Sequence, residues 1–213
     1  MKVPFRVGGR RNLPPRSALL QREAAESART SMVAFALHDI DPHSAGKRQI
    51  AVVVDTPRGS RNKYKYDEKL GLFRLSRVLP SGMSFPYDFG SVPRTRAADG
   101  DALDVLILTE APTFVGCLVT VRLLGVLRAT QKEKGKSIRN DRLIAIPETP
   151  VNRPAIRDLR QLDHDRIGEI EQFFISYNRA QGREFSPGQR LGQREAYRLV
   201  DAAIRDYDKH QSN

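Results

Sequence analysis

Between residues 50 and 147 the chain alternates short apolar runs with turn residues, and the runs are too brief for helices. Residues 50–54, 63–66, 72–78, 105–108, 118–127 and 143–146 read as strands. The segment from Tyr66 to Leu72 reads as a hairpin connection, with Gly71 supplying the positive φ that closes a short loop. Many strands with little helix between them predict a closed or partly closed, OB-like β-barrel. After Pro147 the period changes. Ile156, Leu159 and Leu162 lead into Ile167, Ile170, Phe173, Phe174 and Tyr177, spaced as on a helix with one buried face. A second helix is predicted over about residues 189–207, with Leu191, Ala196, Leu199, Ala203 and Ile204 facing inward. The fold class is therefore mainly β with α, an α+β domain in which two C-terminal helices flank the barrel. The run Lys132-Glu133-Lys134-Gly135-Lys136 reads as a solvated loop between strands.

Length and charge refine this picture without choosing a function. The 213 residues suffice for one sizeable core, so residues 31–213 are expected to form a single domain. Residues 1–30 carry seven basic and two acidic residues and are expected to be a disordered basic extension. The chain's formal charge of +11 suits nucleic acid, an anionic membrane or small polyanions such as phosphates. No apolar run approaches the roughly 20 residues of a membrane span, and the N-terminus lacks the apolar core of a secretory signal. The lone Cys117, in an apolar run, excludes a disulfide framework and fits a reducing compartment. A soluble, cytoplasmic protein is expected, the arginine-rich start offering organellar import as a lesser alternative. His38, His43, His164 and His210 have no metal-ligand spacing and read as surface residues.

The chemistry concentrates in Asp99-Gly100-Asp101-Ala102-Leu103-Asp104, which runs directly into Val105-Leu106-Ile107-Leu108. Three carboxylates where a loop enters a buried strand suit a hard divalent cation such as Mg²⁺, which takes one or two protein carboxylates and completes its octahedron with phosphates and water. A calcium-binding loop of the EF-hand kind fails, because Leu103 and Asp104 occupy the fifth and sixth positions and a strand follows. A merely solvated turn is the plainer alternative.

Around this cluster, further short motifs occur in a fixed order. Lys63-Tyr64 stands on an early strand, Arg77 near the end of the next, Phe85-Pro86-Tyr87-Asp88-Phe89-Gly90 ahead of the aspartates, Arg142-Leu143-Ile144-Ala145-Ile146-Pro147 after them, and Phe173-Phe174-Ile175-Ser176-Tyr177-Asn178 on the first helix. Over roughly residues 50–185 the chain resembles the soluble, family I inorganic pyrophosphatases, whose signature is an aspartate-rich D-G-D-P-x-D leading into a strand. The resemblance implies Mg²⁺-dependent hydrolysis of pyrophosphate to two phosphates by direct attack of a metal-activated water, with several Mg²⁺ per site and commonly a homo-oligomer. It implies that Asp99, Asp101 and Asp104 hold the metals, that Asp101 accepts the proton of the attacking water, that Lys63, Arg77 and Arg142 grip the phosphates, and that Tyr177 donates to the phosphate not attacked. The chemistry agrees, since a compact polyanion needs metals on its oxygens and cations holding both phosphoryl groups in line.

Departures from the family pattern lie around the signature. Lys65 stands where an acidic residue is usual, Phe85 and Phe89 at tyrosine positions, and Gln131 where another metal-binding aspartate is expected. Arg142 replaces a lysine, Asn178 follows Tyr177 in place of another, and Asp88 stands where asparagine is common. The next expected aspartate aligns with Asn140, and a one-residue shift would make Asp141 a metal ligand. Asp55 matches a glutamate at the end of the first strand, with shorter reach. These departures leave lost or shifted activity as one alternative. A second is a basic barrel binding single-stranded nucleic acid on a platform of Tyr64, Tyr66, Phe85 and Phe89, although three central aspartates would repel phosphate unless metals were bound.

Overall fold

In the computed structural model, residues 37–44, 46, 48–148 and 155–211 are described; the expected basic extension over residues 1–30 lies outside them. Nine strands run in chain order: β1 (Ile50–Thr56), β2 (Asn62–Asp67), β3 (Leu72–Val78), β4 (Asp88–Val92), β5 (Leu103–Ile107), β6 (Leu118–Glu133), β7 (Lys136–Arg139), β8 (Arg142–Pro147) and β9 (Glu184–Gly192). Two α-helices accompany the strands, α1 (His164–Arg179) between β8 and β9 and α2 (Gln193–Gln211) after β9. Hydrogen bonds join β1 to β4, β4 to β5, β5 to β8, β8 to β6 and β6 back to β1, so five strands close a ring. Among the described residues only the β5–β8 pair is parallel. The expected mainly β fold, closed on itself and flanked by two C-terminal helices, is what the chain adopts.

Both faces of the ring strands are covered, which is why β1, β5 and β8 read as nearly unbroken apolar runs rather than alternating ones. Strand alternation divides the core in two. Leu106, Ile144, Ile146 and Phe89 pack with Phe174 and Tyr177 of α1. Val105, Leu143, Ala145 and Val52 pack with Ala196, Val200 and Ala203 of α2. Among the described residues no helix is long and apolar enough to cross a membrane.

Three elements differ from the sequence reading. β6 does not stop near residue 127 but continues to Glu133, and the charged run beyond it is a two-residue hairpin turn into β7. Lys134 and Gly135 both have positive φ (48° and 80°), which suits the twist of a tight hairpin. Second, residues 189–192 belong to β9 rather than to the last helix. Their apolar residues satisfy either period; β6 decides, because Gly125 pairs with Gly192 so closely that a Cβ on Gly125 would stand 2.3 Å from the Leu191 carbonyl oxygen. Third, the Phe85–Gly90 motif runs into β4, whose brevity hid it.

The start of α2 is held by a distant carboxylate. Asp158 caps the short 3₁₀ turn Leu159–Gln161 through a capping box, binds the Arg160 guanidinium at 2.7 and 3.0 Å, and accepts from the Gln193 amide at 3.2 Å. These bonds hold its carboxyl down to about 2, the Arg160 side chain being the principal cause.

Candidate active site

Four neighbouring ring strands, β1, β4, β5 and β8, bring polar side chains to one end of the core on the α1 side. Asp55 comes from the irregular end of β1, where the register shifts between Val54 and Thr56. Ser91 on β4 pairs in register with Asp104 on β5 and donates its hydroxyl to Asp55 at 3.4 Å. Arg142 opens β8 beside β5 and meets Asp104 at 2.7 Å. Its guanidinium lies 5.1 Å from the Phe174 ring and 5.6 Å from the Phe185 ring, and donates to the Asn140 side chain. Aromatic walls on a buried Arg narrow the directions open to it, and its Nη1 serves both Asp104 and Asn140.

The loop before β5 closes on itself. Ala97 N–H donates to the Asp101 carbonyl at 2.8 Å, Gly100 N–H to the Ala97 carbonyl at 3.0 Å, and Asp101 N–H to the Asp99 side chain at 3.2 Å. Gly100 has φ of 89°, a conformation that L side chains rarely adopt. The turn thus presents Asp99 and Asp101 at the mouth of the strand carrying Asp104.

The β2–β3 hairpin supplies the opposing cations. Residues 63 and 65 share a face, and Arg77 is the cross-strand partner of Lys63. The Lys63 ammonium sits 4.1 Å from the Phe89 ring centroid and 5.7 Å from that of Phe85. Phe85 in turn packs edge-on against Tyr177, centroids 5.6 Å apart. Lys65 reaches Asp101 and binds both carboxylate oxygens, at 2.8 and 2.9 Å.

Burial and crowding of like charge shift the proton affinities of these groups. Burial first, and repulsion from Asp104 second, push Asp55 up to about 7 against the pull of Lys63. Burial and then Asp104 also raise Asp99. Burial works against the Lys65 charge, but its bond to Asp101 and the attraction of Asp104 and Asp99 outweigh it and raise that ammonium above its ordinary value. Among the described residues no three Asp, Glu, His or Cys side chains converge tightly enough to enclose an ion by themselves. The donor set of Asp55, Asp99, Asp101 and Asp104 nevertheless fits a hard divalent cation of the Mg²⁺ type, which needs only one or two protein carboxylates.

Asp99, Asp101, Asp104, Lys63, Arg142 and Tyr177 are thus linked through direct contacts or shared aromatic neighbours, and Arg77 stands opposite Lys63 in the hairpin register. Asp141 does not. Successive residues point to opposite faces, so Asp141 faces the α2 side. There it accepts from Arg128, from Arg139 at 2.7 Å and from the Ala129 amide at 3.2 Å, and lines a cavity with Leu103 and Ala203. Asp88 is also structural: buried, it accepts from the Arg58 amide and from the Thr113 amide and hydroxyl. Asn178 bonds the Phe174 carbonyl inside α1, and Glu133 pairs with Arg183. Gln131 accepts from the Asn140 amide at 3.0 Å, so the two outer positions expected to carry aspartates form a neutral amide pair beside Arg142. The nucleic-acid platform is absent: Phe85 and Phe89 are buried, and Tyr66 packs on Phe73. Sequence reading did not foresee Ser91, Phe185 or the Lys65–Asp101 clasp, since each depends on strands brought together from far apart.

The chain has counterparts among known proteins. The family model described as inorganic pyrophosphatase matches residues 52–208. The chain belongs to the inorganic pyrophosphatase family. It is 33% identical over 160 residues to the inorganic pyrophosphatase of Geobacillus stearothermophilus, covering 75% of this chain and 94% of that one. It is 32% identical over 173 residues to soluble inorganic pyrophosphatase 2 of Chlamydomonas reinhardtii, covering 81% of this chain and 88% of the relative. The crystal structure of the Thermus thermophilus inorganic pyrophosphatase superposes with a TM-score of 0.74 at 31% identity, over 81% of this chain and 99% of that one. The residues matched to the inorganic pyrophosphatase family include Asp99, Asp101 and Asp104 as well as Lys65, Gln131 and Asn140.

Proposed function

We propose that this site hydrolyses inorganic pyrophosphate to two phosphates by direct attack of water on one phosphorus, with Mg²⁺ as the divalent cation. The observation that carries the reading is the meeting of the Asp99-Asp101-Asp104 signature with cations from two separate elements, the β2–β3 hairpin and β8, at one end of the ring. Asp99, Asp101 and Asp104, with Asp55 at the buried end, would hold the divalent cation, which would neutralise phosphate oxygens and acidify water. Lys63, Arg77 and Arg142 hold the phosphoryl oxygens, so the scissile bond is oriented before attack. Tyr177 donates its hydroxyl to the phosphate not attacked; support comes from its packing on Phe85, beside the Lys63 ammonium. Asp101 accepts the proton of the attacking water through a lone pair that Lys65 leaves free. Water oxygen bonds to phosphorus, the bridging P–O bond breaks, and the bridging oxygen leaves with the second phosphate. Asp141, occupied by two arginines, is left out of the metal set.

The test is phosphate release from pyrophosphate by purified protein with Mg²⁺. Turnover is expected, two phosphates per pyrophosphate, with Asp101→Asn slower by about 10²-fold or more. No release from the wild-type chain refutes the assignment. Homo-oligomerisation belongs to the same reading, and a light-scattering mass equal to one chain would contradict it. The cytoplasmic assignment rests on the single cysteine, half-buried with its thiol pushed up by burial.

A further inference from the structure

Two of the three signature carboxylates are already bound to fixed cations of the chain. Lys65 clasps both oxygens of Asp101, and Arg142 meets Asp104 at 2.7 Å while also binding Asn140. The three positions where the family resemblance calls for acidic side chains, Lys65, Gln131 and Asn140, carry none. Lys65 adds a positive charge, and the amide pair Gln131–Asn140 leads through Arg142 back to Asp104. The change is therefore concerted: carboxylates are lost from the rim, and the remaining ones are neutralised by side chains. Divalent ions and these side-chain cations compete for the same oxygens, and a fixed +1 charge within about 5 Å of a +2 ion opposes its binding by about tenfold even in water-like dielectric.

We infer that Lys65 is a tethered cation that takes the place of one divalent ion at Asp101, so that the resting site of this chain binds fewer metals, more weakly, than the same site with an acid at position 65. The inference rests on the reading of this site as a pyrophosphatase centre but concerns metal loading alone. Lys65 suits the role because it lies on β2, two residues from Lys63 on the same face, and β3 pairs with it across the hairpin. Its side chain therefore starts from a paired strand, within reach of the Asp101 carboxylate that the loop before β5 presents. Each side chain of the pair is 60% exposed, so the bond itself contributes little to folding and substitution leaves the core untouched. Its consequence falls on ions arriving at the carboxylate.

The experiment is titration with Mn²⁺ in the absence of pyrophosphate, reading free Mn²⁺ by its electron paramagnetic resonance signal, on the full chain and on Lys65→Gln, Lys65→Glu and Lys65→Arg. The expected result is about tenfold tighter Mn²⁺ binding for Lys65→Gln, one additional Mn²⁺ per chain for Lys65→Glu, and wild-type behaviour for Lys65→Arg, which keeps the charge. Equal Mn²⁺ affinity and stoichiometry in wild type and Lys65→Gln, at unchanged thermal midpoint, overturns the inference. So does Lys65→Glu with no added ion. Should one variant fail to fold, the other still decides. Phosphate release with Mg²⁺ is measured separately. Mn²⁺ binding that responds to Lys65 in a chain releasing no phosphate sinks the hydrolase reading alone, while turnover with unresponsive Mn²⁺ binding sinks only the role of Lys65.

Discussion

Replacing Arg142 by Met removes the only charge on a side chain that is 5% exposed and 2.7 Å from Asp104, whose side chain is 26% exposed. Two unit charges about 4 Å apart attract by about 4 kcal/mol at an effective dielectric constant of 20. The partial exposure of Asp104 and the cost of desolvating both groups reduce the net coupling to about 2 kcal/mol. The loss in the single variant is larger, because Asp104 is left beside Asp55 with its neutralising partner gone; about 3 kcal/mol is expected. For a folded unit of this size, 1 kcal/mol shifts the midpoint by roughly 2–4 °C, so Arg142→Met should melt roughly 6–12 °C lower. The assay is thermal and urea unfolding in EDTA of wild type, Arg142→Met, Asp104→Asn and the double variant. The double variant should recover about 2 kcal/mol relative to the sum of the singles. Strict additivity would refute the pair as an energetic unit and leave Phe174 and Phe185 as the reason Arg142 is held. With Mg²⁺ present the coupling should shrink, because the ion competes with the guanidinium for Asp104.

Asp55→Asn should stabilise the protein above pH 7 and change little below pH 4, by on the order of 2–4 kcal/mol in EDTA. The folded carboxyl titrates near 7 and the unfolded one near 3.8, so between them the fold binds the extra proton and wild-type stability falls as pH rises. A wild-type midpoint flat across that window would contradict the buried placement of Asp55. Asp158 works in the opposite sense: held at about 2, it contributes stability above pH 4 that is lost as pH falls toward 2, so Asp158→Ala should cost about 1–2 kcal/mol at pH 7 and remove that acid limb of the profile. Gly192→Ala should destabilise by about 1–3 kcal/mol, since its Cβ would stand 2.7 Å from an Asp158 carboxylate oxygen. An unchanged urea midpoint for Gly192→Ala would show that Asp158 is free to move.

Much of the architecture was legible along the chain because burial imposes a period. The runs of β1, β5 and β8 are apolar on both faces, and α1 shows Ile167, Ile170, Phe174 and Tyr177 at helical spacing. Where local pattern was compatible with two structures, pairing decided. Leu191 can face inward from a helix or a strand, and only the partner across from it, Val126 on β6, makes it a strand residue. The Lys132–Lys136 run was polar enough for a loop, and its place at the tip of a long hairpin follows from β6 continuing past the ring.

The site divides in the same way. Asp99, Asp101 and Asp104 lie within six residues, so sequence by itself determined that a carboxylate cluster enters a buried strand and that Mg²⁺-type chemistry and a pyrophosphatase resemblance follow. Tertiary structure decided which other charges reach it. Asp141 and Arg142 are neighbours in sequence, yet the pleat sends one to Arg128 and Arg139 and the other to Asp104. Lys65 and Asp101 are 36 residues apart, yet the hairpin brings them to 2.8 Å. Periodicity records which face of an element is buried, because burial acts on each residue separately. Ion pairing acts between residues, and only the closed ring determines who the partner is.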